Sequence, residues 1–194
     1  MFDFPLTIDS GSTFQYSNLT AHWLGVVVAR SCYTDLKTFA QEQLFTPLGA
    51  EVGVWRKDLD GYNWAAGELH LSARDAAKFG HLYLNGGEFA GNQIVSADWV
   101  RDSRQVYSEG AYNNIGKFRD IGYGYQWWSA RAGDYDVNFA WGHGGQLIVL
   151  VDELDMVVVV TADPFYETFG SESWTHEKAN IELVADFIAS LPEE

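Results

Sequence analysis

The hydrophobic period of this chain changes from helical to strand spacing near Gly122, and that change limits its possible folds more than any other feature. Before it, apolar residues recur at helical spacing: Leu19, Trp23, Val26 and Val27, then Leu36, Phe39, Ala40, Leu44 and Phe45. After it they alternate, as Tyr123, Tyr125 and Trp127 and again as Val137, Phe139 and Trp141, the period of a strand with one buried face. β-Branched runs at Ile148 to Val151 and Val157 to Thr161 flank Asp152-Glu153-Leu154-Asp155, which predicts a hairpin within an antiparallel meander. A last stripe of Ile181, Val184, Ala185, Ile188 and Leu191 returns to helical spacing and is expected to lie across that sheet. The fold class is therefore α+β in a single domain over 1–194, with a mostly helical region to about 121 and an antiparallel sheet plus C-terminal helix from about 122.

Punctuation sharpens the helical region. Asn18 stands directly before the helix Leu19 to Cys32, and Thr34 is expected to cap a second helix that Pro47 and Gly49 end. Glu51 to Leu71 reads as an irregular excursion, after which Ser72 with Asp75 three positions on resembles a capping arrangement for a third helix ending at Asn85-Gly86-Gly87. Ser96 starts a short helix, and Gln105 to Asp120 is expected to be a long surface loop.

The 194 residues are 47% hydrophobic, enough to bury a core, and no linker or low-complexity tract interrupts them. The strongest apolar runs, Leu24 to Ala29 and Met156 to Ala162, fall far short of the roughly 20 residues of a membrane span. Met1-Phe2-Asp3-Phe4-Pro5 has no basic region followed by an apolar stretch, so no signal peptide is expected. A formal charge of −15 would repel phosphates and anionic lipid, which argues against a nucleic-acid partner. The single cysteine, Cys32, cannot form an internal disulfide and is expected to be a buried, inert thiol.

Two short patterns carry chemistry. Tyr16-Ser17-Asn18 sits between an extended approach and a helix start, where a phenol and an amide can point into a cleft. Trp141-Gly142-His143-Gly144-Gly145-Gln146 ends a strand with glycines that permit close backbone approach. In this order they resemble the second and third motifs of the serine β-lactamase, penicillin-binding protein (DD-peptidase) and class C-like esterase superfamily: the tyrosine-containing branch, with His-Gly-Gly in place of Lys-Thr-Gly. The text between them is also similar to that family, including Phe45-Thr46-Pro47-Leu48-Gly49, Leu69-His70-Leu71-Ser72-Ala73-Arg74-Asp75, Leu82-Tyr83-Leu84-Asn85-Gly86-Gly87 and Gly122-Tyr123-Gly124-Tyr125-Gln126-Trp127-Trp128.

The resemblance implies the C-terminal part of a β-lactamase/transpeptidase-like catalytic domain, acting on a small acyl substrate through a serine ester without a cofactor. It implies that Tyr16 shares the nucleophile's proton, that Asn18 hydrogen-bonds the substrate amide, and that Gly144, Gly145 and the N–H of Gln146 line the oxyanion and substrate site. His143 stands where a permanently cationic lysine is expected, and Gly144 where a hydroxyl is, so grip on a substrate carboxylate should weaken. That favours an ester, amide or peptide substrate over efficient β-lactam destruction. The family's first motif, Ser-x-x-Lys, does not match: no serine here is followed three residues later by lysine, and Thr175-His176-Glu177-Lys178, beyond the third motif, is a poor substitute.

Blander readings stand beside these. Asn18 could serve only as a helix cap, His143 only as a satisfied histidine beside Trp141, and the eight tryptophans as core rather than a sugar platform. His22, His70, His81 and His176 have neither the spacing nor the cysteine partners of a metal site. Two hypotheses result: a hydrolase fragment, inactive alone without the nucleophile, or a non-catalytic ligand- or partner-binding module derived from the same fold. A fragment would expose a sheet edge and a core face, from which self-association is expected. Family members are often periplasmic or secreted, an expectation by resemblance alone.

Overall fold

The computed structural model describes residues 8–166 and 171–192. Helix α1 spans Asn18–Ser31, α2 spans Leu36–Ala40 and continues into a π-helical turn at Gln41–Phe45, and α3 spans Ala73–Leu84. A two-stranded hairpin follows, β1 (Glu88–Phe89) with β2 (Asn92–Gln93), and then α4 (Ala97–Arg104). Strands β3 (Phe118–Tyr123), β4 (Trp128–Ala132), β5 (Tyr135–Gly142), β6 (Gln146–Val151) and β7 (Met156–Val160) pair in sequence order as an antiparallel meander, and α5 covers Ser171–Ala189.

Period-two alternation divides the sheet between two layers. From β6, Leu147, Val149 and Val151 join Ile181, Val184, Ala185 and Ile188 of α5 in the main core. Its alternate residues Ile148 and Leu150 face the other way, with Tyr83, Val100 and Trp127. Gly80 lets α3 lie directly on this second face, since a Cβ there would come within 2.6 Å of Val157 Cγ1. The sheet is thus enclosed by α5 on one face and by α3 and α4 on the other.

Start signals were local enough to read correctly at Ser72 and Ser96, whose side chains accept from Asp75 and Trp99 backbone N–H groups at 3.1 and 3.2 Å. Others shift. Ser17, not Asn18, caps α1, and Asp35, not Thr34, caps α2. The sheet begins four residues early, at Phe118, because Ile115 and Phe118 turn inward to complete the main core. Gln105 to Asp120 is therefore not wholly a surface loop. Residues 124–127 form the β3–β4 connection rather than a strand, with Gly124 N–H bonded to Trp127 carbonyl at 2.8 Å; Tyr125 is exposed while Trp127 packs under α3.

Two readings of α1 are corrected. Its buried face is Ala21, His22, Gly25, Val26 and Ala29, while Leu24 and Val27 are exposed. The helix lies so close to the 51–71 segment that a Cβ on Gly25 would sit 2.3 Å from Ala65 Cβ, so small residues win that face. Buried His22 fixes the segment further: Nδ1 accepts from Ala65 N–H at 3.2 Å, Nε2 bonds Asp58 at 2.9 Å, and the ring stacks on Trp64. Cys32 is exposed rather than buried, because the helix ends at Ser31 and Cys32 is already its C-cap.

Candidate active site

Tyr16 leads into α1 and rests on the end of the sheet. Its ring meets Tyr123 of β3 at 6.2 Å and Trp128 of β4 at 6.1 Å between centroids. Tyr123 and Trp128 are a cross-strand pair at the close of β3 and the opening of β4. Trp128 in turn packs on Trp141, near the end of β5, at 5.4 Å. Two residues beyond Trp141, the chain turns through His143, Gly144 and Gly145 into β6. An aromatic path thus joins the two motifs at one end of the sheet, and Tyr112 closes edge-on against Trp141.

Tyr16 keeps 42% of its surface exposed. Its partial burial against these rings pushes the phenol above its ordinary value. Tyr123 is raised further, first by burial and then by the proximity of Tyr16. Among the described residues, neither ring has a cation beside it that would draw the phenol down. Asn18, the first helical residue, is exposed, and among the described residues its side chain has no hydrogen-bond partner, so it is free of the capping role that Ser17 takes.

The turn is built by its glycines. Gly144 and Gly145 have φ of +86° and +83°, a region in which side chains are disfavoured. A Cβ on Gly144 would lie 2.9 Å from Pro164 Cα, and one on Gly145 would lie 2.8 Å from both Asn180 Cβ and Glu177 carbonyl. Gly145 N–H closes the turn onto Gly142 carbonyl at 3.2 Å. Gln146 pairs with Gly142 to open β6, and its side-chain amide donates to His143 carbonyl at 3.3 Å.

Glu177 of α5, which sequence reasoning did not select, lies under this turn. It is buried to 6% exposure and accepts from Trp141 Nε1 at 2.7 Å and Gly144 N–H at 2.9 Å. Its Oε2 also lies 3.2 Å from His143 Nδ1. Asn180, one turn along α5, donates to Gly144 carbonyl at 3.1 Å. A signal was available: counting back four positions from Ile181 along the predicted α5 stripe places the Glu177 carboxylate on the sheet-facing side. His143 itself is half exposed, at 56% of its side chain.

An open depression of about 600 Å³ lies elsewhere, between Ala29, Tyr33, Asp35 and Tyr62 at the far end of α1. At about 1.5 Å per residue, the 14-residue helix separates it from Tyr16 by roughly 20 Å, so it does not belong to the motif site. No cluster of three or more His, Cys, Asp or Glu side chains suited to a metal occurs among the described residues, nor is any described helix long and apolar enough to cross a membrane.

The sequence model of the family described as Beta-lactamase matches residues 3–181. A 6-aminohexanoate-dimer hydrolase from Paenarthrobacter ureafaciens is 29% identical over 139 residues, covering 66% of this chain and 34% of that protein. A solved structure from Bacillus anthracis, described as a 6-aminohexanoate-dimer hydrolase, is 26% identical and superposes with a TM-score of 0.74, covering 96% of this chain and 47% of its own. The octameric penicillin-binding protein homologue from Pyrococcus abyssi shares the fold at 19% identity and a TM-score of 0.65, covering 92% of this chain and 44% of its own. The chain therefore spans between about a third and a half of the length of these relatives.

Proposed function

This chain belongs to the beta-lactamase family, and from that premise we propose that it supplies the later part of a serine hydrolase active site, with the nucleophile carried on polypeptide upstream of Tyr16. The observation that carries the reading is the convergence of Tyr16 and the His143–Gln146 turn on one sheet end through Trp128 and Trp141.

In the proposed reaction a serine hydroxyl attacks the acyl carbon, and its proton passes to Tyr16 as the phenolate, a form that the charge of the upstream lysine would stabilise. The oxyanion is held by the N–H of Gln146 and that of the serine itself. Of the other turn amides, Gly144 N–H is committed to Glu177 and Gly145 N–H to Gly142. Collapse breaks the bond to the alcohol or amine, which leaves with the proton from Tyr16. Water then attacks the acyl-enzyme, Tyr16 again taking the proton, and the acid departs as the serine is restored. Asn18, exposed and uncommitted, orients the substrate amide.

The raised Tyr16 phenol is consistent with the need for a partner. A phenol without an adjacent cation stays protonated near neutrality and is a poor base, so the chain alone should be inactive. The relative named for hydrolysing a 6-aminohexanoate dimer makes short amides and esters the first substrates to assay. His143, in place of a fixed cation, agrees with that order over β-lactams.

The test is to co-express the chain with an upstream polypeptide bearing Ser-x-x-Lys, from its own reading frame or from a relative, and to assay a chromogenic ester, a chromogenic amide and a chromogenic cephalosporin. Hydrolysis of ester or amide that Tyr16→Phe abolishes supports the reading. A folded pair that turns over none of the three, while the chain alone retains a ligand, makes it a binding module instead.

A further inference from the structure

We propose that Tyr112, Trp141 and Trp174 form a subsite for a neutral aryl group of the substrate, an inference that rests on the hydrolase reading above and names the substrate class it takes: ring-bearing esters and amides ahead of unbranched alkyl ones.

The three rings are held in place by bonds outside the rings themselves. Trp141 is pinned at its indole N–H, which donates to Glu177 Oε1 at 2.7 Å, and it is backed by Trp128 at 5.4 Å. Tyr112 lies between two anchors: Ala111 N–H donates to Ile121 carbonyl at 2.8 Å, and the Asn114 side chain accepts from Asp120 N–H at 3.2 Å. The Tyr112 ring stands at 85° to both Trp141 and Trp128, at 5.3 and 6.2 Å between centroids. Trp174, in the first turn of α5, continues from Trp141 at 6.2 Å with its plane inclined by only 31°, and meets Tyr112 at 6.3 Å. Two tryptophan planes with a tyrosine set across them thus bound a corner.

Rings that serve only as core are closed over. Trp128 is, but Tyr112 and Trp174 keep 41% and 37% of their surface exposed. Tyr16 and Tyr112 both rest on Trp128, at 6.1 and 6.2 Å, so the corner continues the motif site rather than standing apart from it. Contiguous half-exposed aromatic surface beside a polar site marks a ligand-binding wall. Its shape favours a flat group: an aryl ring can lie along a tryptophan face and turn its edge to Tyr112, the two arrangements that aromatic pairs prefer, each adding roughly two- to tenfold in affinity beyond area burial. An alkyl chain of similar size makes neither contact and gives up rotamer freedom on binding. The chain's formal charge of −15 disfavours an anionic group at the same place.

Binding to the 194-residue chain tests the subsite without any chemistry. N-Benzylacetamide and N-pentylacetamide are titrated into protein carrying isotope-labelled tryptophan and followed by NMR, with Trp174→Phe assigning the Trp174 indole signal. The benzyl probe is expected to shift that signal and to bind about threefold or more tighter than the pentyl probe. Tyr112→Ala and Trp174→Ala should remove the preference, while Tyr112→Phe, which keeps the ring, retains it. Equal binding of the two probes overturns the proposal, as do shifts confined to other tryptophans or a preference that survives both alanine variants. Should the alanine variants fail to fold, the location of the shifts in the wild-type chain decides. In the co-expressed hydrolase the same preference should appear in KM for nitrophenyl phenylacetate against nitrophenyl hexanoate. Its loss there, with binding intact in the chain alone, means that upstream polypeptide covers the rings and also overturns the proposal. Absence of hydrolysis with intact benzyl binding counts against the proposed reaction and leaves the subsite standing.

Discussion

Consecutive positive φ angles at Gly144 and Gly145 concentrate backbone demand in the turn that carries His143, and the two glycines are also hemmed in by Pro164 and Asn180. Gly49 offers a control, since it has φ +60° but nothing within 4 Å of where a Cβ would lie. Gly49→Ala should cost about 1–2 kcal/mol from conformation alone. Gly145→Ala should cost more, by roughly 1–3 kcal/mol of overpacking, and urea unfolding of the two variants side by side measures the difference. Titration at single carboxylates is equally local. Asp35 is held below the usual carboxylate range by the Thr38 hydroxyl and amide, and Asp75 by Lys78 and Ser72. A folded-state value below the unfolded one adds stability that is present above about pH 4 and is lost as pH falls through the folded value. Thermal stability should therefore fall below about pH 4, and Asp35→Asn and Asp75→Asn should each flatten that acid limb. A limb unchanged in both variants would assign the acid sensitivity to other groups.

Helix α3 and strand β7 show how an element's place is set by one missing side chain. Alanine normally favours a helix over glycine by about 1 kcal/mol. At Gly80 that gain meets Val157 Cγ1 at 2.6 Å, and a β-branched valine cannot swing its methyl aside. Gly80→Ala should thus destabilise by about 1 kcal/mol net, overpacking exceeding propensity. In a Val157→Ala background the same change should become neutral or stabilising. A double-mutant cycle with no coupling between the two positions would mean that α3 does not sit on β7 as described. Helix α1 obeys the same logic in reverse: its small residues face Ala65, and its larger Leu24 and Val27 are left outside.

Across the whole molecule, apolar surface is left uncovered at several places. Leu24 and Val27 of α1 are exposed, as are Leu183 and Phe187, one turn apart on α5, and among the described residues β7 has no partner strand on its outer edge. Open edges and apolar patches of this kind favour association, whereas a net charge of −15 opposes it. We expect concentration-dependent self-association in sedimentation velocity, stronger at high salt where the repulsion is screened. A monomer at every concentration and salt would mean that these surfaces stay solvated. What the sequence by itself determined is what short-range chemistry encodes: strand alternation in β5, the β-branched runs of β6 and β7, the caps at Ser72 and Ser96, the stripe of α5, and the two motifs with their glycines. Period and capping act within a few residues, so they can be read before the chain is folded. Only the tertiary structure decided which face of α1 is buried, that Ile115 and Phe118 leave their loop for the core, and that Glu177 lies beneath His143. Those outcomes depend on surfaces meeting from distant parts of the chain, where closeness of packing outweighs the local pattern.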